Sequence, residues 1–270
     1  MSIFADLELE VITHTPAAKA KNKHATPLLF VHGAYTGAWC WDEYFQPWFA
    51  QQGWTSHAVS LSGHGKSGKQ GYLDMLSLND YVNDVTKVIS RLSGTPVLIG
   101  HSMGGMVVQK YLEQAAVPAT VLLSSVPPQG LASSAIGLMF SSPHLLTDLN
   151  NLMSGGSVNA DTLREALFNQ PIEPERLLRY LSHCQRESIR ALWDMTLFNL
   201  PNPSQTHDVP LLVLGAEHDH LISPNQTKMT ASAYGVEAEI FPDMGHGLML
   251  EADWEDVARR IDGWLNEQGL

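Results

Sequence analysis

Cysteine is almost missing from this chain. Cys40 and Cys184 are the only two in 270 residues, too few for a disulfide framework and too isolated for a metal-ligand pattern; they suit a reducing compartment. Basic residues are scarce as well: 16 Lys and Arg stand against 28 Asp and Glu, a formal charge of −12. The one basic grouping is Lys19, Lys21 and Lys23. That balance excludes nucleic acid or an anionic membrane as the main partner. No uninterrupted apolar run reaches the ~18 residues a membrane span needs. Met1–Asp6 lacks the charged and then apolar pattern of a secretory signal. A soluble, cytoplasmic protein is the expectation. Internal repeats and low-complexity tracts are absent too. What is present is 44% hydrophobic residues, enough for the core of one α/β domain with no second one required.

The stretch Val97-Leu98-Ile99-Gly100-His101-Ser102-Met103-Gly104-Gly105 organises the rest. Its apolar start reads as a buried strand, and Met106–Leu112 reads as a helix. Ser102 therefore sits on a sharp strand-to-helix turn. Side chains at 100 and 104 would collide with the neighbouring strand and helix, and Gly105 lets the helix lie close to the sheet. Such a turn lifts the Ser102 hydroxyl above the sheet edge, while the helix start aims free N–H groups at the same space.

Around this turn the chain alternates strands and helices. Leu7, Leu9 and Val11 alternate with polar residues as in an edge strand, and Thr26–Val31 is a fully apolar strand ending at His32-Gly33-Ala34. There the N–H of Ala34 is a candidate oxyanion donor, and His32 reads as structural. Trp41, Tyr44, Phe45, Trp48 and Phe49 recur at helical spacing as a core stripe, with Pro47 kinking the helix and Gly53 capping it. Ser56–Leu61 is another strand. Ser62–Gly68 lacks the Walker spacing and reads as a structural loop, so no nucleotide cofactor is implied. A helix follows from Ser77, a strand from Val117 to Val126, and then strand signals stop. Residues 129–206 read as helices, over Ala135–Met153, Ala160–Phe168 and Pro174–Leu197, with Met139, Phe140 and Leu145 filling their own core. Strands return at Val209–Leu214 and Glu239–Phe241 before a last helix from Trp254 to Leu265. This alternation predicts a doubly wound, mostly parallel sheet. It is divided into core (1–128), inserted helical lid (129–206) and core (207–270). In such sheets the site lies beyond the carboxyl ends of the strands.

Three kinds of group fall at those ends: a serine (Ser102), a carboxylate after the Val209–Leu214 strand (Glu217 or Asp219), and an imidazole (His246) after the next. A serine hydroxyl is a weak nucleophile until a base takes its proton, and the base needs a carboxylate to hold its tautomer. The N–H of Met103 joins that of Ala34 as an oxyanion donor. His218 and His220 form an H-x-H pair, but no further ligand cluster supports a metal.

His32-Gly33, Ser62-Gly63-His64-Gly65-Lys66-Ser67, Gly100–Gly105, Gly215-Ala216-Glu217-His218-Asp219 and Gly245-His246 together resemble the ordered signature of the α/β-hydrolase superfamily. The resemblance covers nearly the whole chain outside the lid and selects Asp219 over Glu217. The segment His32–Trp41 is similar to the branch of plant methyl esterases and hydroxynitrile lyases. Ser60 and Ser62 depart from the Asp and Pro that many relatives carry, which touches loop packing more than catalysis. The resemblance implies hydrolysis of a carboxylic ester or thioester of a small apolar acyl or aromatic substrate, with neither metal nor cofactor; the apolar lid favours such groups over sugars and phosphates. Ser at the elbow disfavours the haloalkane dehalogenases and epoxide hydrolases, which use Asp. Carbon–carbon bond hydrolysis and cyanohydrin cleavage employ similar triads, although a hydroxynitrile lyase would be expected to place a lysine in the lid, where this chain has none. A hydrolase-like receptor with slow turnover is the alternative from another class. Oligomeric state is left open.

Overall fold

The structure is a computed structural model and describes residues 8–16, 20, 23–132, 134, 144, 147, 148, 151 and 160–270. The strands are β1 (Val11–His14), β2 (Leu28–Val31), β3 (Ser56–Val59), β4 (Val97–His101), β5 (Thr120–Leu123), β6 (Leu211–Ala216) and β7 (Ala238–Phe241). They pair in the order β1-β3-β2-β4-β5-β6-β7, with β1 antiparallel to β3 and the other pairs parallel. The helices are α1 (Trp39–Asp42), α2 (Phe45–Gln52), α3 (Leu78–Ile89), α4 (Met103–Leu112), α5 (Ala160–Leu167), α6 (Pro174–His183), α7 (Ile189–Trp193), α8 (Pro224–Ala233) and α9 (Trp254–Glu267).

Strand β2 explains why helices must cover both faces. All four of its residues are buried, and their side chains alternate between the two faces of the sheet. Leu28 and Phe30 enter a core shared with Trp41, Phe45 and Phe49 from α1 and α2, and with Val257 and Ile261 from α9. Leu29 and Val31 enter the opposite core, with Val82 and Val85 of α3 and Met106 and Val107 of α4. A strand apolar on both faces is stable only between two helical layers, which is the doubly wound arrangement. Phe30 stacks on Trp41 with ring centroids 4.8 Å apart. The expected aromatic stripe is therefore core, and Tyr44, half-buried, stacks on Trp254 at 5.0 Å. Pro47 lies in the first turn of α2, where a helix needs no N–H donor, and the chain breaks instead at Glu43 and Tyr44. Gly53 ends α2 at φ 103°.

Several elements differ from expectation. The edge strand starts at Val11 because Glu8 takes a left-handed φ of 55°, and Leu7 lies outside the described residues. The predicted Pro174–Leu197 helix is three pieces: α6, α7 and a π-helical turn over Asp194–Phe198, with Cys184 extended at φ −70°, ψ 144°. Helix α8 has no counterpart in the reading of the sequence, although Ser223-Pro224-Asn225-Gln226 is a start signal. The Gln226 side chain reaches back to the Ser223 N–H at 2.9 Å. The helix expected over 135–153, with Met139, Phe140 and Leu145, lies almost wholly outside the described residues. Cys40 and Cys184 are both free thiols.

Candidate active site

Register brings the functional turns to one edge of the sheet. Val31 of β2 pairs with Gly100 of β4, His101 with Leu123 of β5, and Ala216 of β6 with Phe241 of β7. The residues just beyond these pairs are His32–Ala34, Ser102, Glu217–Asp219 and Asp243–His246.

Ser102 adopts φ 53°, ψ −119°, a strained backbone for a residue with a side chain. Four hydrogen bonds hold it there: its N–H donates to Leu123 O at 3.0 Å, and its carbonyl accepts from Gly105 N at 3.0 Å, Val126 N at 3.1 Å and Met106 N at 3.3 Å. A Cβ on Gly100 would come within 2.6 Å of Gly104 O, and one on Gly104 would strike the carbonyl oxygens of Val31 and His32. The glycine pattern thus reflects the close approach of β2, β4 and α4. Gly33 abuts this turn, since a Cβ placed there would lie 3.1 Å from Ser102 Cβ. Met103 opens α4, so its N–H has no helical acceptor. Among the described residues the N–H groups of Met103 and Ala34 have no hydrogen-bond acceptor.

Asp219 and His246 meet. His246 Nδ1 lies 2.8 Å from Asp219 Oδ2, and both side chains are buried. The second carboxylate oxygen, Oδ1, accepts from the N–H groups of Leu221 (2.9 Å) and Ile222 (2.8 Å). These bonds fix the carboxylate, which in turn makes Nδ1 the protonated nitrogen and leaves Nε2 free to accept. Glu217 is at the surface and accepts from Asp243 N at 3.2 Å, away from this pair. No hydrogen bond joins Ser102 Oγ to His246 among the described residues; hydrogen bonds between catalytic groups are often long without a ligand and tighten when substrate binds. His246 is nonetheless held against the elbow. The neighbouring His101 donates from Nε2 to the His246 carbonyl at 2.9 Å, with the two rings 4.6 Å apart. Burial first, and the adjacent His246 second, keep the His101 pKa well below the ordinary histidine value, so this ring is neutral. The grip of His101 on the His246 backbone was not legible in the sequence.

Glu251 also orders the His246 loop. Its buried carboxylate accepts from Gly245 N and Asn169 N, each at 2.7 Å. Gly247 N donates to Leu167 O at 2.7 Å, so the end of α5 is stitched to the same loop. Ser60 is a packing residue: its hydroxyl accepts from Ala38 N at 2.9 Å and donates to Glu10 at 2.7 Å. Of the H-x-H pair, only His218 joins other ligand-capable groups among the described residues. Atoms of Glu217, His218 and Asp243 lie within 4.8 Å of one another, all exposed. Solvent-exposed acidic groups often gather in this way without an ion.

The family described as "Alpha/beta hydrolase family" matches residues 28–260. The chain belongs to that family. A pyrethroid hydrolase from Sphingobium wenxiniae is 32% identical over 80 residues, 30% of this chain and 28% of that protein. Methylesterase 1 from Arabidopsis thaliana is 29% identical over 115 residues, 40% of this chain and 43% of that protein. The matched stretches thus span less than half of either curated relative. Among solved structures, an esterase from Exiguobacterium antarcticum superposes with a TM-score of 0.73 at 17% identity, covering 96% of this chain and 95% of its own. That likeness concerns the fold. Among the described residues no helix is long and apolar enough to cross a membrane.

Proposed function

We propose that this α/β hydrolase cleaves a carboxylic ester or thioester of a small apolar acyl or aromatic substrate through an acyl-Ser102 intermediate. The observation that carries the reading is the strained Ser102 turn beside a buried Asp219–His246 pair at 2.8 Å. In this reading His246 Nε2 takes the Ser102 proton as Oγ attacks the carbonyl carbon. Asp219 stabilises the imidazolium without itself taking the proton. The N–H groups of Ala34 and Met103 hold the developing oxyanion, each worth about 3 to 4 kcal/mol of barrier. Collapse of the tetrahedral species expels the alcohol or thiol, which receives the proton from His246. Water, deprotonated by the same imidazole, then releases the acid and restores Ser102. No metal or cofactor takes part.

The hydrolase and esterase names of the two curated relatives favour ester cleavage over carbon–carbon or cyanohydrin cleavage. Residues 129–206 act as the lid in this reading, and the apolar composition of that segment favours an acyl or aromatic group. Turnover of p-nitrophenyl acyl esters and acyl thioesters of graded length is the test. The Ser102→Ala variant is expected to stay folded and lose essentially all activity. Most activity surviving in that variant would remove Ser102 from its role. A single slow acylation with ligand-induced stabilisation, in place of steady turnover, would favour the receptor reading.

A further inference from the structure

The irregular turn between α6 and α7 interrupts an otherwise helical sequence pattern; Arg186 points outward to Asp74, while Gln185, Glu187 and Ser188 turn inward. The Gln185 N–H donates to the carbonyl of Tyr35 at 2.9 Å. Its side chain bridges the neighbouring loop, accepting from Gly65 N at 3.0 Å and donating to Gly63 O at 2.7 Å. Two residues on, Glu187 is fully buried. Its Oε1 accepts from Tyr81 OH at 2.6 Å and from Ser188 N at 2.7 Å, and its Oε2 lies 3.0 Å from His64 Nε2. The last contact is an ion pair rather than a well-aligned hydrogen bond, since neither atom meets hydrogen-bond geometry.

His64 packs against His32, with ring centroids 5.1 Å apart. The tautomer of His32 is forced. The Leu61 N–H donates to Nε2 at 3.0 Å, so the proton must reside on Nδ1, which donates to Gly33 O at 2.8 Å. The Thr36 hydroxyl donates to the same carbonyl at 2.9 Å. Gly33 C=O and Ala34 N–H belong to one planar peptide and point in opposite directions. Fixing the carbonyl therefore fixes the direction of the Ala34 N–H, and an amide whose carbonyl accepts hydrogen bonds is itself a stronger donor.

We infer that Gln185 and Glu187 are positioning residues for the oxyanion hole: the Gln185 N–H holds the Tyr35 carbonyl, and Glu187, through His64 and His32, holds that of Gly33. This rests on the proposed role of the Ala34 N–H. The loop needs such support, because Tyr35 holds a left-handed φ of 65°. A buried ion pair is poor at adding stability compared with apolar packing, but it fixes orientation. Here it fixes the ring beneath His32. Charge acts in the same sense: burial, then the adjacent His64, lower the His32 pKa to about 3, which keeps the donor tautomer in place across the working pH range.

The test uses the full-length Gln185→Ala and Glu187→Ala variants: the first keeps the main-chain bond to Tyr35 and removes the side-chain anchor to Gly63 and Gly65 that holds the turn in place, the second removes the buried carboxylate, and Glu187→Asp keeps the charge. The first readout is the Ala34 and Tyr35 amide resonances of 15N-labelled protein, which require no turnover. Both should move in the alanine variants. The second is kinetic: kcat for p-nitrophenyl acetate should fall about tenfold to hundredfold, the loss expected when a catalytic group is displaced by about 1 Å, with KM within twofold. A trifluoromethyl ketone, which forms an oxyanion on the serine, should weaken by the same factor as kcat/KM. Glu187→Asp should recover part of the loss. Unmoved resonances would overturn the inference, as would moved resonances with unchanged kcat in folded variants. If the unaltered protein cleaves no ester, the ester-hydrolase reading fails, and the resonances still decide the tether.

Discussion

Replacing Asp219 by Asn removes one charge and almost no volume, and the structure dictates how the new amide must sit. Oδ1 of Asp219 accepts from two backbone N–H groups, those of Leu221 and Ile222 at 2.9 and 2.8 Å. The amide oxygen must keep that place, because turning the NH2 toward them would oppose donors to donors. The NH2 then faces His246 Nδ1, now 2.8 Å from the carboxylate. Nδ1 becomes an acceptor, and the imidazole proton moves to Nε2. The ring would then present a donor to Ser102 and could no longer take its proton. A base locked in the wrong tautomer costs about 10⁴ in kcat, which corresponds to about 5 kcal/mol of barrier. The fold should barely respond, since every backbone bond to this side chain survives. Steady-state kcat on p-nitrophenyl acetate from pH 6 to 9, with thermal melts of both proteins, is the assay. A loss smaller than about tenfold in a variant that melts like the parent would refute the reasoning.

Other perturbations separate catalysis from folding. Gly104→Ala would drive a Cβ into the carbonyls of Val31 and His32, the latter at 2.5 Å; parting β2 from α4 should cost about 1 to 3 kcal/mol in chemical denaturation and lower kcat. Ser77→Ala removes half of a capping box, in which Ser77 Oγ accepts from Asp80 N at 3.2 Å and Asp80 accepts from Ser77 N at 2.8 Å. It should cost about 1 kcal/mol and leave kcat unchanged. Glu187→Gln should change stability in a pH-dependent way. Burial opposes the charged forms of His64 and Glu187, but their mutual attraction prevails, raising the His64 pKa and lowering that of Glu187. The His64 contribution is complete below about 6.5 and fades as pH rises through its raised pKa; the Glu187 contribution is complete above about 4.3 and fades as pH falls through its lowered one. The difference in Tm between parent and variant should therefore be widest between about pH 4.3 and 6.5 and shrink on either side. A difference independent of pH would contradict the ion pair.

Much of the framework was legible because it rests on short-range rules. Apolar runs bounded by turn residues located β2, β3, β4 and β6, and the glycines at 100 and 104 marked a turn whose crowding the backbone bears out. The failures have a common cause. Leu177, Leu181, Ile189 and Leu192 keep a helical period straight across residues 184–188, so nothing local announces a break. The break is imposed by distant partners, Tyr35 for Gln185 and His64 for Glu187. Local periodicity cannot register bonds to residues more than a hundred positions away. Glu217 and Asp219 were likewise indistinguishable by residue type, and only the resemblance favoured the latter. In three dimensions the two-residue offset turns one carboxylate to solvent and the other onto His246. Helix α8 is a different case, since its Ser-Pro-Asn-Gln start is a local signal, with Pro224 at the first helical position.

The most direct test of the central claim is covalent. Incubating the protein with a fluorophosphonate and measuring intact and peptide masses should give one adduct per chain, mapped to Ser102. It should be absent in Ser102→Ala and formed far more slowly in Asp219→Asn. An unlabelled protein, or a label on any other residue at a comparable rate, would contradict the assignment of Ser102 as the nucleophile.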